Sequence, residues 1–306
     1  MTSAFGRPIL ICSARSRRNP ALRALPEIRD HLRRRGLEHE VRHARGPGDA
    51  TLLARAAVDE GKRFVVAVGG DETVNAVVNG VMGDGDARAR DVVLGVVASG
   101  PNCDFVRTFG IPSLPGHAVA HLDGPESFAI DVGKLTCVSG GRNRVRYFAN
   151  MAQVGLGARV ASLAARLPRA LGPTAYPLAL WTSLATHRAT DTVVDLVDRT
   201  FEGAVASVVV ANGQFFGGGM KIAPRAAPTD GLLDVLIDRT RRMETIALVP
   251  RVYRGEHLPH PDITLVKRVR VSVTAARPLR VNADGAPMGE TPATFEVVRD
   301  ALRLKV

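Results

Sequence analysis

The chain has 306 residues, of which 45% are hydrophobic and 23% charged, and its lysines and arginines exceed its aspartates and glutamates by 41 to 30. This length allows two domains with separate cores, and the lack of an apolar run of about 18 residues argues against a membrane-spanning helix. The net charge of +11 favours anionic partners, while three cysteines without a CxxC spacing argue against a disulfide framework or a structural zinc site.

Residues 8–97 alternate short apolar strands with helices. The strands are "PILIC", "EVRHA", "RFVVAVGG" and "VVLGVVA", and the intervening helices cover "PALRALPEIRDHLRRRG", "DATLLARAAVDEG" and "ETVNAVVNGVM". Strands that alternate with helices of this length predict a parallel sheet covered on both faces. We therefore predict an α/β domain over residues 1–125.

From residue 126 the pattern changes to strand-like runs bounded by Gly, Pro and Asp, such as "SFAIDVGKLTCV", "ASVVVANGQF" and "ATFEVV". These runs predict a mostly antiparallel β domain over residues 126–306, with the C-terminal end of the chain expected to return to the first domain. One predicted helical insertion, residues 158–187, carries the only tryptophan, Trp181.

The stretch "FVVAVGGDETVNAVVNG" places two acids between a glycine pair and a predicted helix. Free backbone N–H groups and the positive end of the helix dipole make such a turn an anion site. Asp71 could simply cap the helix, but that explains one acid better than two. If a phosphate binds here, a neighbouring carboxylate would hold Mg²⁺ or accept a proton from an attacking hydroxyl group, which indicates phosphoryl transfer.

Five blocks, in the expected order, resemble the diacylglycerol kinase catalytic family, which includes bacterial soluble lipid kinases and the sphingosine and ceramide kinases. They span nearly the whole chain and are jointly specific. The blocks are "VAVGGDETVNAVVNG", "LGVVASGPNCDFVRTFGIP", "YFANMAQVGLGARVA", "NGQFFGGGMKIAPRAAPTDGLLDVLI" and "VNADGAPMGETPATFEVV".

The resemblance implies an N-terminal α/β domain of the phosphofructokinase or NAD-kinase type and a C-terminal β-sandwich-like domain, with the active site in the cleft between them. ATP and Mg²⁺ would be the cofactors. By the same resemblance, the residues that would line the nucleotide are Gly69, Gly70, Asp71, Glu72, Thr73, Asn75, Gly100 and Asn102.

The remaining site residues also follow from the resemblance. Asp104 and Arg107 would face the lipid head group. Asp230, with the backbone carbonyl groups of Ala227 and Leu232, matches the family's Mg²⁺ position. The catalytic candidates are Asp71, Glu72 and Asp284.

Several positions depart from the family pattern. Pro101 and Cys103 replace a threonine and an asparagine of the second glycine loop, Ala44 replaces another threonine, and "CSARSR" replaces the first nucleotide motif. Ala286 stands where the family has the glutamate that usually accepts the proton, whereas Glu72 stands where it has a glycine. One hypothesis is a relocated base in an active kinase, and the other is a non-catalytic lipid-binding or regulatory relative.

The resemblance also sets our expectations for partners and location. We expect a membrane lipid substrate (diacylglycerol, a ceramide or sphingoid base, or a similar lipid), an anionic membrane surface and no nucleic acid, with a homodimer open as an assembly state. The protein is expected in the cytoplasm, peripherally associated with the inner face of the membrane. NAD kinase shares the first glycine motif, but "TDGLLDV" and "ADGAP" argue against it.

Overall fold

The computed structural model describes residues 3–13, 20–85, 87–99, 103–113, 115–168, 171 and 174–306. The α-helices are α1 (Pro20–Arg34), α2 (Asp49–Asp59), α3 (Asp71–Met82), α4 (Asp104–Phe109), α5 (Pro115–Ala118), α6 (Leu156–Ala164), α7 (Ala175–Thr186) and α8 (Arg242–Arg254). The strands are β1 (Ile9–Ser13), β2 (Glu40–Ala44), β3 (Phe64–Gly69), β4 (Val93–Ala98), β5 (Ser127–Ser139), β6 (Arg142–Phe148), β7 (Met151–Gly155), β8 (Thr190–Asp195), β9 (Thr200–Val205), β10 (Ser207–Ala211), β11 (Leu233–Asp238), β12 (Ile263–Arg268), β13 (Arg270–Ala275), β14 (Arg280–Ala283) and β15 (Ala286–Lys305).

The chain forms two compact units, one of Met1–Val132 with Arg299–Val306 and the other of Gly133–Val298. The chain therefore leaves the first unit within β5 and returns to it within β15. The fold class predicted from the sequence, an α/β unit followed by a β-rich unit, is confirmed. Within the described ranges, no helix combines the length and the apolarity needed to cross a bilayer.

The first unit is built on parallel strands in the order β2–β1–β3–β4, and the end of β15 adds parallel to β4. Strands β3 and β4 are buried along their whole length, because helices cover both faces of a sheet of this type. Their apolar side chains supply much of the core, at about 1.5–3 kcal/mol for each fully buried Val, Leu, Ile or Phe.

Helix α3 follows β3 directly and presents one apolar face to this core. Gly80 lets α3 approach α2, since a Cβ there would lie 2.3 Å from the Thr51 carbonyl oxygen. The buried valines recur at the helical spacing that the sequence shows, at Val74, Val77, Val78 and Val81. This packing fixes the start of α3, and with it the glycine pair that precedes the helix.

The second unit is an antiparallel system. Strands β12, β11, β10, β7, β14 and β15 follow one another in the sheet, β13 pairs with both β15 and β8, and β8 pairs with β9. Its core contains Phe148 and Phe295, whose rings meet edge to face, together with valines from most of these strands. Helices α6 and α7 pack on each other beside the sheet, within the predicted helical insertion.

Candidate functional site

The first glycine loop, residues 69–73, connects the C-terminal end of β3 to α3. Gly70 is the N-cap of α3, and its carbonyl oxygen accepts the N–H groups of Thr73 (2.9 Å) and Val74 (3.1 Å). A glycine cap brings no side chain to the end of the helix, and the positive end of the helix dipole favours an anion there. The predicted phosphate-binding turn is therefore a strand-to-helix turn in the structure.

Gly69 is required by the close approach of Thr73. A Cβ at Gly69 would lie 2.2 Å from the Thr73 Oγ1 and 2.7 Å from its Cβ. The Gly69 carbonyl oxygen also accepts the N–H group of Ser99 at 3.1 Å, which ties the end of β3 to the chain after β4. The start of the loop is thus held both against Thr73 and against Ser99.

Asp71 connects the first glycine loop to the start of α4, which follows the predicted second glycine loop in the chain. Its Oδ2 accepts the backbone N–H of Asp104 and its Oδ1 that of Phe105, each at 2.9 Å. These are the first two residues of α4, so Asp71 caps a helix other than its own. Burial raises the pKa of the adjacent Cys103 thiol well above its usual value, and the Asp71 carboxylate raises it further.

The other predicted residues of the first unit differ in exposure. Glu72 is exposed, whereas Thr73 and Asn75 are buried on α3, and Asn75 accepts an N–H of the Asn79 side chain. Asp104 is buried, and its Oδ1 lies 3.3 Å from the Nε of the half-exposed Arg107. Gly100 and Asn102 lie outside the described residues.

Asp284 and Gly285 form the two-residue turn between β14 and β15, where Ala283 pairs with Ala286. Both turn residues have positive φ, 45° and 80°, as in the type I′ hairpin turns that favour Asp-Gly. Asp284 is only 9% exposed. The "ADGA" motif therefore encodes a hairpin whose acid points into the second unit.

The Asp284 carboxylate is surrounded by backbone N–H groups. Its Oδ2 accepts from Ala149 at 2.8 Å, and its Oδ1 accepts from Asn150 at 3.0 Å and from Met151 at 2.8 Å. The Asp284 N–H in turn donates to the Met151 carbonyl oxygen at 2.8 Å. One side chain thus organises the turn between β6 and β7.

Asn150 is a residue of this turn that the sequence analysis did not single out. It is 2% exposed, its Nδ2 donates to the Phe215 carbonyl oxygen at 2.6 Å, and its own carbonyl oxygen accepts the N–H groups of Asn212 and Gly213. The "YFANM" stretch and the "ANG" stretch both place an asparagine directly after an apolar run. This repeated pattern was the available signal for a polar anchor at the strand ends.

The loop that carries the predicted metal residues Ala227, Asp230 and Leu232, residues 225–234 and called the metal loop below, has a lysine contact that the sequence did not reveal. The Asp230 Oδ1 accepts the N–H of Leu232 at 3.0 Å, and its Oδ2 lies 2.5 Å from the Nζ of Lys267. The Ala227 carbonyl oxygen accepts the N–H groups of Thr229 and Asp230. The oxygens of Asp230 and Ala227 thus already face N–H groups and an ammonium group of the protein. In this arrangement the loop does not fit a resident metal ion.

Glu244, His260 and Asp262 form a second cluster of metal-ligand types in the described part of the second unit. The His260 Nδ1 accepts the backbone N–H of Asp262 at 3.2 Å, so the Nε2 carries the proton of the neutral ring and faces the Glu244 carboxylate at 3.2 Å. The Nδ1 lone pair of this imidazole is thus used by a backbone N–H group. We interpret the cluster as a hydrogen-bonded support at the start of α8.

Comparison with known proteins identifies the same family that the sequence motifs resemble. Residues 7–135 match the model described as "Diacylglycerol kinase catalytic domain", and residues 150–306 match "YegS C-terminal NAD kinase beta sandwich-like domain". A diacylglycerol kinase of Staphylococcus haemolyticus is 28% identical over 275 residues, covering 89% of this chain and 80% of that protein. One of Staphylococcus aureus is 28% identical over 276 residues, covering 89% and 84%.

Solved structures support the same fold. The crystal structure of a diacylglycerol kinase from Bacillus anthracis superposes with a TM-score of 0.71 at 18% identity, covering 99% of this chain and 98% of that one. Yeast NADH kinase complexed with NADH superposes with a TM-score of 0.51 at 10% identity, covering 97% and 82%. These two structures show the fold, and the two family models confirm the resemblance seen in the sequence motifs.

Proposed function

The chain belongs to the diacylglycerol kinase family and is a lipid kinase, and from this premise we propose that it transfers the γ-phosphoryl group of ATP to a hydroxyl group of a membrane lipid such as diacylglycerol or a ceramide. The observation that carries the proposal is the geometry of the first glycine loop. A glycine turn at a helix N-terminus fits a phosphate chain, because backbone N–H groups and the helix dipole meet there. Gly69, Gly70, Thr73 and Asn75 would line the nucleotide.

Magnesium would enter with the nucleotide, where it neutralises phosphate charge during transfer. In the reaction, the lipid hydroxyl oxygen forms a bond to the γ-phosphorus, the bond from that phosphorus to the β,γ-bridging oxygen breaks, and ADP leaves. The hydroxyl proton needs an acceptor. The chain has Ala286 at the position of the family glutamate, so we take the acceptor from the other catalytic candidates, Asp71, Glu72 and Asp284.

We assign the proton acceptor role to Glu72. Of the three catalytic candidates, Glu72 is the exposed one, beside the glycine turn, whereas Asp71 is partly buried and Asp284 is buried. In this assignment, Asp71 positions the second glycine loop and Asp284 positions the turn between β6 and β7. Proton transfer to a positioned side chain typically contributes about 10²- to 10⁴-fold in rate.

The ion pair of Asp104 and Arg107 would contact the lipid head group. Asp104 is fixed by burial and by its place at the start of α4, and it aligns the half-exposed Arg107 guanidinium. A guanidinium presents several N–H donors in a plane and suits ester or phosphate oxygens. This pair would therefore orient the acceptor lipid.

Peripheral membrane association is supported by an exposed apolar face on α7, defined by Leu178 and Trp181. These side chains are 46% and 53% exposed, one helical turn apart, while Ala179 and Leu184 of the same helix are buried against α6. Tryptophan with an aliphatic neighbour is typical of the membrane–water interface. We propose that this α7 face enters the outer part of an anionic bilayer.

Three arginines surround the C-terminal end of α7. The Arg159 side chain donates to the Thr186 hydroxyl group, and Arg242 donates to the His187 carbonyl oxygen at 3.2 Å. Arg277 donates to the Ala189 carbonyl oxygen at 3.5 Å. Burial lowers the pKa of His187, and the charges of Arg159, Arg242 and Arg277 lower it further. Basic groups beside an apolar face fit anionic lipid head groups, each contributing about 1 kcal/mol near such a surface.

A kinase assay tests the central proposal. The full chain is incubated with labelled ATP, Mg²⁺ and a panel of diacylglycerol, ceramide, sphingoid base and other hydroxyl lipids in mixed micelles, and lipid-soluble label is measured. The proposal is supported if label appears in a lipid product only when both ATP and that lipid are present. Binding of ATP or lipid without transfer to any lipid in the panel would instead favour the non-catalytic alternative.

Fluorescence tests the membrane proposal, because Trp181 is the only tryptophan of the chain. Its emission is expected to shift to shorter wavelength with phosphatidylglycerol vesicles, less with phosphatidylcholine vesicles, and less at high salt. The variant Leu178→Ser should bind vesicles more weakly than Val145→Ser, which changes a valine on β6 that is exposed to a similar extent. Equal binding of the two variants, or an emission spectrum that vesicles do not change, would contradict docking through α7.

A further inference from the structure

The metal loop of the second unit meets a lysine from a neighbouring strand. Strands β11 and β12 are antiparallel, and their register places Asp234 directly opposite Lys267. Directly opposed residues have their Cβ atoms about 4.5–5.5 Å apart, close enough for their side chains to interact. The position of the lysine is therefore set by the sheet and not by a flexible loop.

The Lys267 ammonium group meets three oxygen atoms. Its Nζ lies 2.5 Å from the Asp230 Oδ2, 3.3 Å from the Arg225 carbonyl oxygen and 3.5 Å from the Asp234 Oδ2. An ammonium group carries three N–H donors, so its donor number matches this set of two carboxylates and one carbonyl group. Carboxylate and carbonyl oxygens are also the ligands that Mg²⁺ and Ca²⁺ prefer.

The charge balance explains why a cation is needed at this place. Asp234 is only 1% exposed, and burial raises the pKa of its carboxyl group while Lys267 opposes that shift. Burial also acts against the Lys267 ammonium group, but its contacts with Asp230 and Asp234 raise its pKa above the ordinary value. A buried carboxylate without a partner would be costly, and the lysine removes that cost.

Arg268, the next residue along β12, is engaged elsewhere. Its guanidinium forms two hydrogen bonds with the Asp198 carboxylate, at 2.9 Å and 2.7 Å. Successive side chains of a strand point to opposite faces, so Lys267 is the basic residue of this pair that reaches the metal loop. Of these two basic residues, Lys267 is therefore the one whose positive charge faces the acids of the metal loop.

We propose that Lys267 is a built-in cation that occupies the divalent-metal position of the 225–234 loop, so that the wild-type loop binds no Mg²⁺ or Ca²⁺. Without the lysine, two carboxylates and a carbonyl group would face one another across the same space. A divalent ion would then balance the two carboxylates, and the loop would become a metal site.

Metal titrations without nucleotide or lipid test this proposal, and they do not depend on the kinase reaction. The full chain and its variants Lys267→Ala and Lys267→Arg are titrated with Mg²⁺ and with Ca²⁺ in a calorimeter. Their melting temperatures are measured in EDTA and in excess metal. Lys267→Gln provides a second neutral variant in case Lys267→Ala does not fold.

The expected result is one divalent ion bound per chain by a neutral variant, with a melting temperature that is lowered in EDTA and restored by metal. The wild type and Lys267→Arg should show neither effect. Adding Asp230→Asn to the neutral variant should abolish the gained binding, which separates this loop from other acidic groups such as Glu244. Divalent binding by the wild type that Asp230→Asn abolishes, or no gain of binding in a folded neutral variant, would overturn the proposal.

Discussion

The first glycine loop of the first unit and the Asp284–Gly285 hairpin turn of the second unit use an aspartate in the same way. In each, both carboxylate oxygens accept N–H groups from a segment distant in sequence, residues 104–105 for Asp71 and residues 149–151 for Asp284. The difference lies in what surrounds the acid. Asp284 is buried and followed by Gly285 and Ala286, whereas Asp71 is partly exposed and followed by the exposed Glu72.

This difference in burial separates two tasks of an aspartate or glutamate beside a glycine turn: holding backbone N–H groups and reaching a substrate. A carboxylate enclosed by three N–H groups is suited to hold backbone, because its lone pairs already point at donors. A carboxylate at the surface of a helix N-terminus can reach a substrate. We infer that the hairpin turn retains only the structural task in this chain, while the first glycine loop carries both tasks on neighbouring residues.

The variant Asp284→Asn should have the largest effect on stability. Asparagine tolerates the positive φ of this position, so the change isolates the loss of one acceptor oxygen and of the charge. We expect a loss of about 3 kcal/mol, since a buried N–H would face an amide NH₂ group. Thermal unfolding measures this loss, with Asp300→Asn as a control because Asp300 is an exposed acid with a φ of 47°. Equal stability of the Asp284→Asn and Asp300→Asn variants would contradict the structural role of Asp284.

The variant Gly69→Ala should disturb the first glycine loop without touching either acid. The new Cβ would overlap Thr73, and overpacking of this kind costs about 1–3 kcal/mol. Adding Thr73→Ala removes part of the overlap and should recover part of the melting temperature. If the stability loss of the double variant equals the sum of the losses of the two single variants, the contact with Thr73 is not the cause of the loss in Gly69→Ala.

The variant Asp71→Asn should have the smallest effect on stability. Asparagine and aspartate are comparable helix caps, so we expect a loss of about 1 kcal/mol as one of two hydrogen bonds is lost. Because the second glycine loop would shift, KM for ATP should rise more than kcat falls. Steady-state kinetics at saturating lipid measure kcat and KM for ATP separately. A large fall in kcat at unchanged KM would instead identify Asp71 as the proton acceptor.

Local sequence patterns predicted most of the fold because the spacing of apolar residues follows which side chains are buried. The alternation of apolar strands and helices predicted the parallel sheet, and the valines of α3 recur at the spacing that buries one helical face. The Asp-Gly pair at residues 284–285 carried a hairpin signal as well, although the family resemblance drew attention to its acid.

The partners of the site residues could not be predicted in this way. Asp71 caps a helix that begins 33 residues later, and Asp230 meets Lys267 across 37 residues. Such pairs depend on which strands are neighbours and on their register, and composition and periodicity do not contain that information. The sequence therefore singled out these acids as candidates, while the structure shows which groups each of them contacts.

The turnover number of Glu72→Gln tests the central claim most directly. Glutamine keeps the size of the side chain and removes its capacity to accept a proton, so kcat for lipid phosphorylation should fall by about 10²-fold or more. The melting temperature should stay close to that of the wild type, and Glu38→Gln, at an exposed glutamate elsewhere in the first unit, should retain full activity. A Glu72→Gln protein that phosphorylates lipid at the wild-type rate would contradict the assignment of the proton acceptor to the first glycine loop.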